Sequence, residues 1–121
     1  SDKISKIKIY LNNDESGHSI FLNNEKSVLV NSTTLENIFT ENHIDNCNFL
    51  KLDCEGAEYQ IIDSLNPVFF GKISKTIIEY HLADTNPELL ENLTQKLDSH
   101  NFKIKIKKLF SDIGFLFANS T

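Results

Sequence analysis

Three carboxylates, Asp53, Glu55 and Glu58, stand within six residues, directly after the apolar run Phe49-Leu50-Lys51-Leu52. Further along, Glu79 and His81 close the run Thr76-Ile77-Ile78-Glu79-Tyr80-His81. If both runs are strands, alternate residues share a face, so Glu79 and His81 point the same way. Neighbouring strands lie ~4.8 Å apart, close enough for these groups and Asp53 to converge on one small volume. Carboxylates and an imidazole so gathered could act as a general base, as a hydrogen-bonding anchor for an ammonium or hydroxyl, or as hard oxygen ligands for a divalent cation. Crowded negative charge should raise some carboxyl pKa values and favour a protonated His81.

Each of these groups also has a purely structural use. Glu55 and Glu58 at a helix start are favoured by the helix dipole, and Glu58 reads as a cap. Glu79 is harder to place, because burying an unpaired charge is expensive; a structural ion pair and a site role stay open, for it and for His81. His43 and His100, near predicted helix ends, read as dipole-favoured surface groups, and His18 in Ser16-Gly17-His18-Ser19 is ambiguous. The lysines of Phe102-Lys103-Ile104-Lys105-Ile106-Lys107-Lys108 read as a solvated strand face, with an acidic-partner patch as the lesser reading.

The elements that must position these residues follow from hydrophobic period. Ile7, Ile9 and Leu11 alternate with lysines and Tyr10, which is a strand with one wet face. After the break at Asn12 to Gly17 come two short apolar runs, Ser19 to Leu22 and Val28 to Val30, separated by the turn-like Asn23-Asn24. At Thr33 the period becomes helical. Thr33 and Glu36 make a T-x-x-E capping box, followed by a helix of about ten residues. The Phe49 to Asp53 strand, a turn at Gly56 and a helix from Ala57 to Leu65 form one β-α unit, ended by Asn66-Pro67. A second unit follows: a strand from Ile73 to His81, then a helix opened by Asn86-Pro87 and striped by Leu89, Leu90, Leu93 and Leu97. Two such units in series imply a parallel layer. The strict alternation from Phe102 and the apolar run Ile113 to Ala118 predict a terminal antiparallel hairpin, with Phe102, Ile104 and Ile106 facing the helices.

With 121 residues, 40% of them hydrophobic and 24% charged, the chain has room for one compact α/β domain. Residues 1–31 supply leading strands and a loop, and 32–121 the β-α core. Twelve basic against seventeen acidic side chains leave a formal charge of -5, which argues against nucleic acid and an anionic bilayer as partners. No apolar run approaches the ~20 residues of a membrane span, and the polar start is unlike a secretory signal. A strand over 48–53 would hold Cys47 and Cys54 roughly 20 Å apart at ~3.3 Å per residue, too far for a disulfide. Two reduced thiols suit a reducing, cytoplasmic compartment.

Three ordered motifs carry a resemblance. The run Asn48-Phe49-Leu50-Lys51-Leu52-Asp53-Cys54-Glu55-Gly56-Ala57-Glu58, preceded by Val30-Asn31-Ser32-Thr33-Thr34-Leu35-Glu36-Asn37-Ile38 and followed by Ile77-Ile78-Glu79-Tyr80-His81, resembles the carboxyl-terminal half of FkbM-type methyltransferases. The resemblance implies a partial class I, Rossmann-like methyltransferase sheet: parallel β-α units ending in an antiparallel hairpin. It also implies methyl transfer from S-adenosylmethionine to a hydroxyl of a sugar, glycan or natural product. By that likeness Asp53 ends a strand beside the methyl-donor pocket, with Glu55 and Gly56 shaping the next loop on the cofactor side. Glu79 and His81 lie on the acceptor side and join Asp53 as the catalytic candidates.

The sequence departs from that family where the donor would be held. Its glycines, at 17, 56, 71 and 114, are too scattered for the Gly-rich turn that cradles a nucleotide cofactor. The expectation is therefore a fragment of a longer enzyme, inactive alone and needing an amino-terminal half to bind S-adenosylmethionine. The Phe49 to Asp53 strand would then be an exposed edge inviting a homo-oligomer, unless the amino-terminal strand folds over it. Two other readings stand beside this one: a non-catalytic interaction module, and a divalent-metal site built from Asp53, Glu55 and His81 with hydrolytic chemistry.

Overall fold

The computed structural model describes residues 4–11, 18–25, 32–53 and 56–121. Strands β1 (Ile4–Leu11), β2 (His18–Glu25), β3 (Phe49–Asp53), β4 (Lys75–Tyr80), β5 (Phe102–Phe110) and β6 (Ile113–Ser120) join in one sheet, in the order β2-β1-β3-β4-β6-β5. Helices α1 (Ser32–Glu41), α2 (Glu58–Ser64) and α3 (Pro87–Ser99) connect them, with a 3-10 helix over Pro67–Lys72 leading into β4. Among the described residues no helix is long and apolar enough to cross a membrane.

Alternation decides which face is buried. Leu50 and Leu52 of β3, Ile78 and Tyr80 of β4, and Leu116 and Ala118 of β6 are buried, while Lys51, Asp53, Ile77, Glu79, Phe115 and Phe117 between them are half-buried. The buried set meets Leu35 and Phe39 of α1, Ile61 and Ile62 of α2, and Leu93 and Leu97 of α3 in one core. Truncating a fully buried member such as Leu52 to Ala would cost about 2–5 kcal/mol. Tyr80 fits only because β6 has a glycine opposite: a Cβ on Gly114 would lie 2.2 Å from the Tyr80 hydroxyl oxygen and 2.6 Å from the Lys107 carbonyl.

The two β-α units and the terminal hairpin stand where the periodicity puts them. β3 and β4 are parallel, Leu52 beside Ile78, and β6 runs antiparallel to both β4 and β5. Pro87 opens α3 at its first turn, after Asn86. Several details differ. The sheet is mixed rather than mainly parallel, because β1 and β2 enter as an antiparallel pair. Asn23 and Asn24 are not a turn; they lie inside β2, paired with Lys6 and Ser5. Val28 to Val30, the loop at 12–17, Cys54 and Glu55 lie outside the described residues.

The exposed edge expected at β3 is not there. β1 pairs with it antiparallel from Lys6–Asp53 to Tyr10–Phe49, so the amino-terminal strand does fold over and satisfies that ladder. Self-association through this edge would require β1 to leave. α1 begins at Ser32, which puts Thr33 inside the helix; the side chain of Thr33, and with it the capping box, lies outside the described residues. The Glu36 carboxylate accepts the Asn66 N–H at 2.8 Å, bracing α1 against the end of α2. β4 stops at Tyr80, one residue before His81, and Ile73 makes an isolated parallel bridge with Cys47. In the hairpin Phe102 is buried and Ile104 packs on the core, but Ile106 is exposed, bordering an open cleft that separates it from Leu90 of α3.

Candidate functional site

β3 and β4 end side by side, and the rung after Leu52–Ile78 brings Asp53 next to Glu79 on the half-buried face. His81, two residues beyond Glu79, keeps that side but has left the strand. One donor atom from each of Asp53, Glu79 and His81 lies within 4.8 Å of the others. The His81 imidazole bridges two environments. Its Nε2 is 3.3 Å from Glu79 Oε2, and its Nδ1 is 3.1 Å from Glu58 Oε2.

Glu58 is the residue that sequence reasoning undervalued. It is 0% exposed, and its carboxylate accepts the Gly56 N–H, at 2.8 Å to Oε1 and 3.1 Å to Oε2, as well as the His81 Nδ1–H. The dipole argument for Glu58 is incomplete, since this acid reaches upstream to the Gly56 turn and across to the next strand. An acid at the first helical position followed by a distant histidine gives no local sequence signal of that pairing. Gly56 itself has φ +108°, a conformation that favours glycine, so the turn that feeds Glu58 its backbone donor depends on that residue type. The Tyr59 hydroxyl donates to the His81 carbonyl, fixing the backbone of the histidine from the helix side.

The electrostatics follow from this geometry. The hydrogen bond to Glu58 is the main reason the His81 pKa is raised above 6.5; burial opposes it, and the charges of Glu58, Glu79 and Asp53 add to it. Burial pushes the Glu79 carboxyl up, and so do the charge of Asp53 and a hydrogen bond shared with it, against the pull of His81 and Lys51. Both directions are those the charge crowding led us to expect. Asp53 Oδ1 is buried without a hydrogen-bond partner among the described residues, a state that costs roughly 1–3 kcal/mol unless a ligand group satisfies it. Chemically the cluster can hold a proton at His81 Nε2, share another between Asp53 and Glu79, and accept a hydrogen bond at Asp53 Oδ1.

A second acid cluster pins the loop that leaves His81. Asp112, at φ +68° in the β5–β6 turn, accepts the N–H groups of Asp84 at 2.8 Å and Thr85 at 2.6 Å through Oδ1, and the Thr85 hydroxyl at 3.0 Å through Oδ2. Asp84 replies by accepting the Asp112 N–H at 3.1 Å, the Ser111 hydroxyl at 3.3 Å and Lys108 Nζ at 3.1 Å.

The other candidates fall away from the site. His43 is exposed just past α1, and His100 stacks on Phe70 with ring centroids 4.1 Å apart, a packing role rather than a surface one. Cys47 is a buried free thiol whose pKa burial pushes up to about 11, so it is no nucleophile. A cleft of about 400 Å³ between α2 and α3 is lined by Tyr59, Ile62, Leu93 and Lys96, and one of about 670 Å³ beside the hairpin by Tyr80, Leu90 and Ile106. Asp53, Glu79 and His81 line neither.

Compared with known proteins, residues 3–104 match the family model of the methyltransferase FkbM domain. No curated protein and no solved structure matches the chain.

Proposed function

The chain belongs to the FkbM methyltransferase family, and from that premise we propose that it is the acceptor-side part of an S-adenosylmethionine-dependent O-methyltransferase. The acceptor is a hydroxyl of a sugar, glycan or natural product. The observation that carries the chemical half is Asp53 Oδ1, a buried acceptor without a partner among the described residues, placed beside a histidine whose Nδ1 is already committed to Glu58. An unpaired carboxylate oxygen there suits a hydroxyl or ammonium donor from a ligand. The order β3-β4-β6-β5, with an antiparallel strand inserted before the last, is consistent with the late part of a class I methyltransferase sheet.

S-adenosylmethionine, when bound, supplies an electrophilic methyl carbon, and alignment of the acceptor oxygen with it provides much of the rate. This chain's own residues do the rest. Asp53 accepts a hydrogen bond from the acceptor and orients it. Glu58 holds the proton of His81 on Nδ1, so that Nε2 in its neutral form takes the proton the hydroxyl loses. Because the His81 pKa is raised, neutral His81 becomes abundant only on the alkaline side of 6.5, and turnover should climb with pH there. Asp53 and Gly56 would border the donor, and further segments carrying a Gly-rich turn would complete its pocket, so on this reading the 121-residue chain alone would be inactive. The test is transfer of labelled methyl from S-adenosylmethionine to a panel of hydroxylated acceptors by the full-length polypeptide. Activity with an ascending limb above pH 6.5 is the expected result, and absence of donor binding at full length would remove the proposal.

A second reading is favoured by one observation, the convergence of Asp53, Glu79 and His81 donor atoms within 4.8 Å. Two carboxylates and an imidazole backed by a buried glutamate are a plausible set for a divalent cation. Calorimetric titration with Mn²⁺, Mg²⁺ and Zn²⁺ separates the readings: millimolar concentrations without binding would end the metal site and leave methyl transfer untouched.

A further inference from the structure

The sheet has two faces, and among the described residues the helices cover one of them. On the other face the register builds a grid. Phe115 of β6 pairs with Glu79 and Lys107, and Phe117 pairs with Ile77 and Lys105, while Lys51 lies beside Ile77 on β3. Ile77, Phe115 and Phe117 thus form an apolar centre, half-buried, with Phe115 and Phe117 ring centroids 6.2 Å apart. Exposed Lys103, Lys105 and Lys107 line one margin, and Lys51 and Lys75 stand toward the other.

This cationic face belongs to a chain whose formal charge is -5. The imbalance is resolved by segregation: the helices carry Glu36, Glu41, Asp63, Glu88, Glu91 and Asp98, while β3, β4, β5 and β6 contribute only Asp53 and Glu79 to the open face. Parallel strand pairs such as β3–β4 occur almost entirely in sheets covered on both sides. An aliphatic and aromatic strip two strands wide, β4 and β6, at ~4.8 Å per strand, matches the ~10 Å width of one helix. Charge complementarity names the rest. We infer that the open face of the sheet docks an acidic amphipathic helix, its apolar stripe on Ile77, Phe115 and Phe117 and its flanking carboxylates toward the lysines of β5 and β3. Two copies face to face would set lysines against lysines, and a polyanion would approach against the net negative field.

The inference is independent of methyl transfer, so its test needs no activity. The probes are two synthetic 18-residue amphipathic peptides with the same leucine stripe, one flanked by Glu and one by Lys, and a single-stranded oligonucleotide. Binding is followed by amide chemical shifts of the 121-residue chain. The Glu-flanked peptide should bind and perturb β5 and β6, at least tenfold more tightly than the Lys-flanked one, and should weaken at least tenfold in Lys103→Glu/Lys105→Glu/Lys107→Glu. Those lysines are exposed, so an unchanged thermal melt confirms that the variant is folded. Equal binding of both peptides, binding confined to the helix side, preference for the oligonucleotide, or self-association in place of peptide binding would each overturn it.

Discussion

Asp53 and Glu79 crowd each other beside His81, whereas Asp84, in the connection that follows His81, and Asp112, in the β5–β6 turn, are each surrounded by donors. In the downstream pair every carboxylate oxygen has a hydrogen-bond partner, and Asp84 is held below the usual carboxylate range, first by the Asp112 N–H and then by Lys108. In the upstream pair one oxygen of Asp53 has no partner among the described residues, and burial together with Asp53 pushes Glu79 up. The fold stabilises charge at the first pair and tolerates it at the second. A carboxylate lodged on backbone amides is holding structure. One pressed against another carboxylate, with a histidine between it and a buried glutamate, is available for chemistry.

The contrast is broken most decisively by activity. If the proposed methyl transfer holds, Asp53→Asn and His81→Gln should each lower its turnover by about two orders of magnitude or more, while Asp84→Asn should leave it within a few-fold. Equal losses at Asp53 and Asp84 in a methyl-transfer assay would erase the distinction. The next effect is on stability and runs the other way. Asp112→Ala removes the acceptor of three bonds and places alanine at φ +68°, which together should cost about 2 kcal/mol in a urea melt. Asp112→Asn should recover much of it, because asparagine keeps one acceptor oxygen and tolerates the left-handed region. A loss within the ±0.5 kcal/mol of an ordinary surface change would show that the clasp does not hold the loop.

What could be read from the sequence divides along the same line. Periodicity located β3, α2, β4, α3 and the hairpin because apolar spacing reports local geometry. The convergence of Asp53, Glu79 and His81 was legible too, since parallel neighbours with acids at their ends must meet. Glu58 and the Asp84–Asp112 clasp were not legible. Each depends on a partner more than twenty residues away, His81 at 23 and Asp112 at 28, and on a turn whose geometry no apolar pattern encodes. β1 covering the β3 edge belongs to the same class: alternation marks Ile7 and Ile9 as strand residues without naming the neighbour they pair with. Ile106 failed for a simpler reason, because a period of two fixes its side of the sheet but not how closely α3 packs down on it, and there a cleft stays open.

Within the site, Glu58→Gln sharpens the comparison by separating the histidine from its strongest partner. Glutamine keeps the shape and can still accept the Gly56 N–H, so the fold should survive, and His81 should titrate lower when followed by imidazole proton shifts. An unmoved titration would mean that Glu58 braces the turn and does nothing for the imidazole.

The smallest effect distinguishes tolerated charge from wanted charge. Glu79 has a folded-state pKa above its usual 4.5, so its contribution to stability is complete below 4.5 and is lost as pH rises through the raised value. Glu79→Gln removes that loss. It also removes a partner of His81, but burial and Asp53, the two largest causes of the shift, both oppose the charge. The variant should therefore match the native chain near pH 4 and exceed it at neutral pH by less than about 1 kcal/mol in paired thermal melts. Asp84→Asn, whose native carboxyl is held low, should behave oppositely: the native chain keeps its advantage at neutral pH and loses it as acid protonates Asp84. Two difference curves of opposite slope are the expected result; parallel curves would mean that both acid pairs serve the fold in the same way.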